Sequence, residues 1–560
     1  MRSARTIPVL LAALAVTVPA SIAGSAGTAS AEGAAMPAPT VTSTDYPDDS
    51  AWHGGVGIYG DFTIDDPSDR AVRYEVSIDG RRFLQLPTQN GEPVTVAIAP
   101  YRSGPFIVSV GAIGPEGENG PRTDYWSRAN AGSAPKAWWK LDEPAGTRTL
   151  AAQTREGEEP VTARAIGRFA TGAEGQSGTA ARLSGGRAQA PTPVDTTKSF
   201  TISAWARPTA EGDSVVAAAT GHRRNAFSLQ SRDGHWAFVQ SAADSRGAAT
   251  TQAVAEQPVY AGTWAHLTGS YDATQKRLRL WVNGTLASDV AAGDTAWDAQ
   301  RFLRIGAGVH PQAHAFRGDV DEVRVFDRII VPDEAAALPR LPKQTRARWK
   351  FNTDGSDDSA FGNDMTLRGG AAIDPDAGFE WWTSPAGLML NGTDAYADAA
   401  GPVIRTDRSF TVTAWANTAQ APATASTLLS LPGDNVNRFA VRYQPDTGWQ
   451  LAMADSDRAD AATTVARQWT FPGDWDFIAV VYDAPARAVT LYVNGRAQER
   501  TDVGAFNAGG ALQVGRSAIG EPEYWTGAVD DVWAIQGALS PEQVSTLSAP
   551  IEFDTRDWPA

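Results

Sequence analysis

The stretch Trp264–Gly284, WAHLTGSYDATQKRLRLWVNG, returns 211 residues later as Trp475–Gly495, WDFIAVVYDAPARAVTLYVNG, with eight of its twenty-one positions identical. Each copy reads as two strands around a short turn. Leu278, Leu280 and Val282 alternate with Arg277, Arg279 and Trp281, as Val489, Leu491 and Val493 do with Ala488, Thr490 and Tyr492. A period of two belongs to a half-buried strand, whose successive side chains point to opposite faces. Both copies end on Asn-Gly, at Asn283-Gly284 and Asn494-Gly495, the pair that best tolerates the positive φ angles of a tight hairpin turn. The chain therefore uses one antiparallel β unit twice.

Further landmarks recur in the same order. Ser199–Ala206 (SFTISAWA) matches Ser409–Ala416 (SFTVTAWA), and Gly318–Val323 (GDVDEV) matches Gly527–Val532 (GAVDDV). Each repeat opens on a similar strand, Ala137–Lys140 (AWWK) and Ala347–Lys350 (ARWK). With the W-x₆-YD and L-[WY]-V-N-G signatures, this pattern resembles the laminin-G-like, concanavalin A-like jelly roll of secreted bacterial proteins. The resemblance covers residues 137–340 and 347–550. It implies an all-β chain with two tandem jelly rolls and says little about activity, because one fold hosts many functions.

Composition narrows the classes. The 560 residues exceed one ordinary domain. The formal charge of −16 argues against a nucleic-acid backbone or an anionic membrane as main partner. There is no cysteine, which excludes disulfides, thiolate nucleophiles and cysteine–zinc sites, and the six histidines leave little for triad or metal chemistry. Residues 1–31 read as a secretory leader: Arg2 and Arg5 precede an apolar run, Val9–Ala20, and Ala29-Ser30-Ala31 is a small-residue cleavage site. No later stretch approaches the ~20 apolar residues of a membrane span. The expectation is a released, extracellular monomer.

Residues 41–130 carry another β pattern, with alternation over 57–64, 72–78, 94–98 and 105–110 and turns at Asp79-Gly80 and Asn90-Gly91. Strands at that spacing suggest an immunoglobulin-like sandwich, and residues 104–121 resemble the end of a fibronectin type III module, which implies a spacer. Ahead of each repeat boundary, Pro332-Asp-Glu and Pro541-Glu-Gln open short helices ending at Leu338 and Leu547, since proline suits the first helical turn.

Candidate sites follow from the repeat. The loop Asp354–Asp364 (DGSDDSAFGND) of the second copy resembles a family loop that lies against the closing strand and commonly holds calcium, which implies ligands Asp358, Asn363, Asp364 and, from the closing strand, Asp530. The alternative is an Asp/Asn turn bonded to its own backbone. The first copy has Gln153 and Arg155 there, with Asp321 on its closing strand, so calcium is expected only in the second.

Six tryptophans in matched positions are read as packing. Trp381-Trp382 and Tyr524-Trp525, unmatched, along with Trp236 and Trp449, are read either as platforms for the apolar faces of sugars or as cover for the rim. A glycosidase needs two carboxylates about 5–9.5 Å apart; Asp321-Glu322 and Asp530-Asp531 are neighbours on a strand and should point to opposite faces. No catalytic motif is present. The reading is a non-catalytic binder of extracellular or cell-wall polysaccharide, with protein–protein adhesion as first alternative and polysaccharide degradation as second.

Overall fold

The computed structural model describes residues 36–379, 385–418, 422–520 and 523–549. Strands dominate throughout. The described residues divide into two compact units, one holding 36–43, 62–96 and 107–126, the other 44–61, 97–106 and those from 127 to 549. Residues 40–129 contribute seven strands in a three-stranded and a four-stranded sheet. One of them, Arg82–Pro87, is absent from the sequence reading. It pairs with Arg73–Ile78 across the Asp79-Gly80 turn, where both residues adopt positive φ (48° and 68°).

Both jelly rolls lie in the second unit, and each is a sandwich of two antiparallel sheets. In the first copy the front sheet runs Phe169–Glu174, Thr179–Ser184, Arg317–Phe326, Phe200–Pro208, Ala265–Asp272, Arg277–Val282 and Thr285–Ala291. The opening strand Ala137–Trp139 also pairs with the closing strand Arg317–Phe326. The back sheet carries Asn225–Arg232, His235–Ser241 and Thr250–Pro258 toward one edge. The second copy repeats this plan: its opening strand, Gln344–Trp349, starts three residues earlier than the sequence suggests, and pairs with Thr526–Gln536.

The duplicated hairpin forms as its alternation requires. Leu278, Leu280 and Val282 enter the core of the first sandwich, and Val489, Leu491 and Val493 that of the second. At the turns, Asn283 and Gly284 have φ of 53° and 80°, Asn494 and Gly495 of 48° and 76°, the left-handed pair a two-residue hairpin needs. The tyrosines of the two Tyr-Asp pairs face inward. Tyr271 packs 5.9 Å from Phe200, and Tyr482 lies 5.6 Å from Phe410.

The front sheets are buried on their other side as well. In the second copy, Trp415, Phe477, Ala479, Val481, Trp533 and Ile535 form an apolar layer. It is closed by the helix Pro541–Leu547, which contributes Val544 and Leu547. That helix starts where Ser540 and Gln543 cap each other, Gln543 N–H donating to Ser540 Oγ (3.3 Å) and Ser540 N–H to Gln543 Oε1 (2.9 Å). The shorter helix Pro332–Ala337 brings Ala335 against Trp281 and Phe326 in the first copy.

Candidate functional site

The loop expected to hold calcium is tied to its own backbone. Asp357 organises it: Oδ1 accepts the N–H groups of Arg348 (2.9 Å) and Ser359 (2.8 Å), and Oδ2 accepts Asn363 N–H (2.8 Å). Asp364 Oδ1 accepts Asp357 N–H (2.8 Å), and the Asn363 amide donates to the Arg346 carbonyl (2.7 Å). Asp358 lies 3.0 Å from the Lys350 ammonium. Asp530 serves a different loop, accepting Phe379 N–H at 2.8 Å. Among the described residues, no three His, Cys, Asp or Glu side chains converge as a metal would require. Asp364 and Asp530 each spend a carboxylate oxygen on a backbone N–H, and Asp358 faces Lys350. Asx turns use the same residue types.

The first and last strands are clasped by other means. In the first copy, Arg324 stacks 4.5 Å from the Trp138 ring centroid. Glu322 ties the two, accepting from the Trp138 indole (2.6 Å) and from Arg324 (2.5 Å). In the second copy the arginine and the tryptophan have changed places: Arg348 of the opening strand stacks 4.3 Å from Trp533 of the closing strand. Asp531 accepts from both, at 2.7 and 2.9 Å.

Sequence alternation places Asp321 and Glu322 on opposite faces, and a β-bulge overturns this. Glu322 and Asp531 adopt positive φ (54° and 43°), and the register skips between Ser203 and Trp205 and between Thr413 and Trp415. The extra residue resets the alternation. Asp321 stands opposite Trp205 and Arg324 opposite Ser203, so both occupy the face turned from the core, with Glu322 ion-paired to Arg324. These carboxylates are sealed in. Asp321 is fully buried; its Oδ2 accepts the N–H groups of Gln176 (2.6 Å) and Ser177 (3.0 Å), while Oδ1 has no partner. Burial first, then the charges of Glu322 and Asp142, outweigh those two bonds and push its pKa up to about 8. On the other side of Trp205, His266 is fully buried with neither ring nitrogen bonded, and burial, helped by Arg324, depresses its pKa to about 3.

The aromatic candidates separate. Trp381 and Trp382 lie outside the described residues. Trp525 is a core residue with no exposed area, stacked 5.4 Å from the equally buried Trp449, and Trp236 is 3% exposed. None of these three can present a platform to solvent. Tyr524 is partly buried, 6.5 Å from Tyr396. Exposed rings that the sequence reading passed over include Trp52 (54%) and Trp126 (50%), and Trp469 (45%) and Phe471 (79%), the last two edge to face at 6.4 Å in the loop after Thr463–Gln468.

The back sheet of the first copy carries an open cleft of about 320 Å³. Its floor is the outer face of Asn225–Arg232 and His235–Ser241. Phe227 and Leu229 turn to the core, which leaves Ser228, Gln230 and Arg232 pointing out. Ser228 donates to Gln230 Oε1 (2.9 Å) and stands opposite Val239. Arg223 and Arg224 enter from the preceding turn, Arg246 from the next hairpin, and His310 from a distant loop. Asp244 fixes that turn by accepting three consecutive N–H groups, from His222 (2.7 Å), Arg223 (2.7 Å) and Arg224 (2.8 Å). Burial works against its charge, but those bonds hold the carboxyl below its ordinary pKa. The carboxylate lies so close that a Cβ at Gly221 would come within 2.5 Å of it.

A family model, described as the concanavalin A-like lectin/glucanases superfamily, matches residues 182–336 and 391–545, more than half of the chain. The chain belongs to this superfamily. Both matches fall inside the two sandwiches and include the duplicated hairpin. Among curated proteins, the human pentraxin-related protein PTX3 is 26% identical over 148 residues, 24% of this chain and 38% of that protein. The chain thus spans well under half the length of that relative. Among solved structures, domain 4 of AbnA, an extracellular arabinanase of Geobacillus stearothermophilus, in complex with arabinotriose, is 20% identical. The alignment covers 37% of this chain and all of that one, with a TM-score of 0.30. Domains LG4-5 of the mouse laminin α1 chain are 12% identical, covering 61% of this chain and 83% of that one, with a TM-score of 0.20.

Proposed function

We propose that this is a secreted, non-catalytic binding protein whose first jelly roll takes a carbohydrate chain in the back-sheet cleft, with the N-terminal strands as a spacer. The observation that carries this reading is the lining of the cleft. Ser228, Gln230, Asn225 and Thr250 offer donors and acceptors on a rigid strand floor, and no carboxylate lines it. A site without acidic side chains binds a glycan but lacks the acid and base that cleave one. Of the adjacent carboxylates on the closing strands, Asp321, Glu322 and Asp530 are buried, and Asp531 is held by Arg348 and Trp533. Among the described residues no helix is long and apolar enough to cross a membrane.

The test is retention of the full chain in native gels cast with soluble polysaccharides, beside a reducing-sugar assay on the same panel. Retardation without sugar release is the expected outcome. Sugar release that survives purification would replace the binding role with an enzymatic one. Capture of a surface protein with no retardation by any polysaccharide would favour adhesion.

A further inference from the structure

We infer that the ligand of the first jelly roll's cleft is an anionic polysaccharide, its carboxylate or sulfate groups held by arginine; this rests on the carbohydrate reading above and adds the chemistry of the ligand. The whole chain is acidic, with 64 acidic against 48 basic residues, yet Arg223, Arg224, Arg232, Arg246 and His310 line one cleft that no carboxylate lines. Arginines elsewhere in the second unit are commonly matched: Arg182 and Arg207 share Asp319, Arg277 and Arg279 share Asp289, Arg328 holds Glu334, and Arg442 holds Glu523. Among the described residues, no carboxylate lies within ion-pair distance of Arg223 or Arg246, and Arg232 meets only the exposed Asp233 at 3.7 Å.

The wall behind is cationic too. Arg304 is 6% exposed, and its Nε finds no hydrogen-bond partner. Its Nη1 donates to the carbonyls of Gly308 (2.7 Å) and Val309 (3.1 Å), the latter a lining residue. Burial, then the nearby Arg187 and Arg301, lower its pKa. Like charges kept together are unfavourable in the free protein, where Asp244 and the exposed Asp233 are the acids at hand, and a bound anion relieves them. Guanidinium forks match carboxylate and sulfate oxygens two at a time. The cleft has no flat aromatic wall among its lining residues, so stacking on neutral sugars cannot supply the affinity. At physiological salt, charges beyond about 8 Å are screened, so the local cations outweigh the acidity of the rest.

The second copy sharpens the case. Asp457 accepts the N–H groups of Asp434, Asn435 and Val436 just as Asp244 does in the first. The turn is the same, but an acid, an amide and a valine replace His222, Arg223 and Arg224.

The experiment measures binding of the full chain to polygalacturonate, heparin and neutral arabinan at 50 and 300 mM NaCl, for the wild type, for Arg232→Gln/Arg246→Gln, and for the exposed Arg458→Gln of the second copy as control. Oligothymidylate is the non-carbohydrate polyanion. The expected result is binding of at least one anionic polysaccharide, weakened at least tenfold by the higher salt and tenfold by the double variant, with Arg458→Gln unchanged and the unfolding midpoints of all three alike. Preference for polygalacturonate assigns carboxylate, preference for heparin sulfate. Anionic binding indifferent to the double variant, equal affinity for oligothymidylate, or binding of arabinan alone would overturn the inference; the last would leave the carbohydrate reading standing. Binding of no polysaccharide would overturn both.

Discussion

The two jelly rolls solve one problem with interchanged parts. In the first, tryptophan sits on the opening strand and arginine on the closing strand; in the second, Arg348 opens and Trp533 closes. The carboxylate at the bulge, Glu322 or Asp531, stays in place and holds both. What the fold demands is therefore a contact, a cation over an indole pinned by an acid, and not a residue at a position. The surrounding layer differs more deeply. Where the second copy packs Phe477, Ala479 and Trp533, the first has His266, Thr268 and Arg324 at the matching places. Ser203 Oγ, Thr268 Oγ1, Asp321 Oδ1 and both His266 nitrogens are buried there without partners. Each such group costs about 1–3 kcal/mol relative to a satisfied one, so the first copy's front face is the less stable design.

Exchange of the clasp is the strongest test of that equivalence. In the first copy, Trp138→Arg alone places two cations on Glu322, and Arg324→Trp alone leaves Glu322 without its ion pair. Arg324→Trp is expected to lower stability by about 3 kcal/mol, the usual cost of breaking a buried charge pair, and Trp138→Arg, which keeps the pair but crowds a second cation onto it, by less. The double exchange recreates the second copy's arrangement and should recover more than half of the loss. Calorimetric unfolding of the full chain gives the coupling through a double-mutant cycle. Additive losses would show that the two clasps are not interchangeable.

Much of this could be read from the sequence, for a physical reason: the duplicated hairpin, the Asn-Gly turns and the proline-led helices are local, and local rules govern them. The bulge could not. Nothing in GDVDEV or GAVDDV announces a left-handed glutamate or aspartate, because the partners that hold Glu322 and Asp531 there lie some 180 residues away, at Trp138 and Arg348. The loop 354–364 is ambiguous in sequence because Asp, Asn and Ser close backbone turns with the same oxygens they would offer calcium. The cleft escaped notice because its cations come from four separate stretches, at 223–224, 232, 246 and 310, and an arginine in a strand or turn looks like any solvated one. Charge sorting became visible only once register placed Ser228 opposite Val239 and Gln230 two residues on.

Asp321 separates the copies by pH. Its folded-state pKa of about 8 lies above the ordinary carboxylate value of 3.8. The folded state therefore keeps a proton that the unfolded chain releases. Its contribution to stability is complete below pH 4 and is lost as pH rises toward 8. The charged groups facing it are Glu322, Asp142, Arg324 and, from the second copy, Arg408, whose Nη1 donates to the Gln176 carbonyl at 3.1 Å. Asp321→Asn keeps an oxygen for Gln176 and Ser177 N–H and removes the buried charge. The variant should match the wild type at pH 4 and exceed it by about 2 kcal/mol or more at pH 8. Parallel stability curves across that range would place the ionisation elsewhere.

The smallest change asks whether the first copy's polar layer can simply be made like the second's. His266 corresponds to Phe477, lies edge to face with Trp205 at 5.1 Å, and is neutral at any working pH because burial has driven its pKa to about 3. Its ring nitrogens lose hydration on folding and gain nothing. A phenyl ring of similar outline loses no such hydration, while its extra bulk costs something where packing is already tight. The balance predicts that His266→Phe stabilises by about 1 kcal/mol, read as a rise of a few degrees in the midpoint of the full chain, equal at pH 5 and pH 8. A destabilised variant would mean that the unpaired nitrogens do have a partner in solution, an ordered water held with Thr268 and Ser203, and that the polarity of this layer is a hydrated feature the second copy lacks.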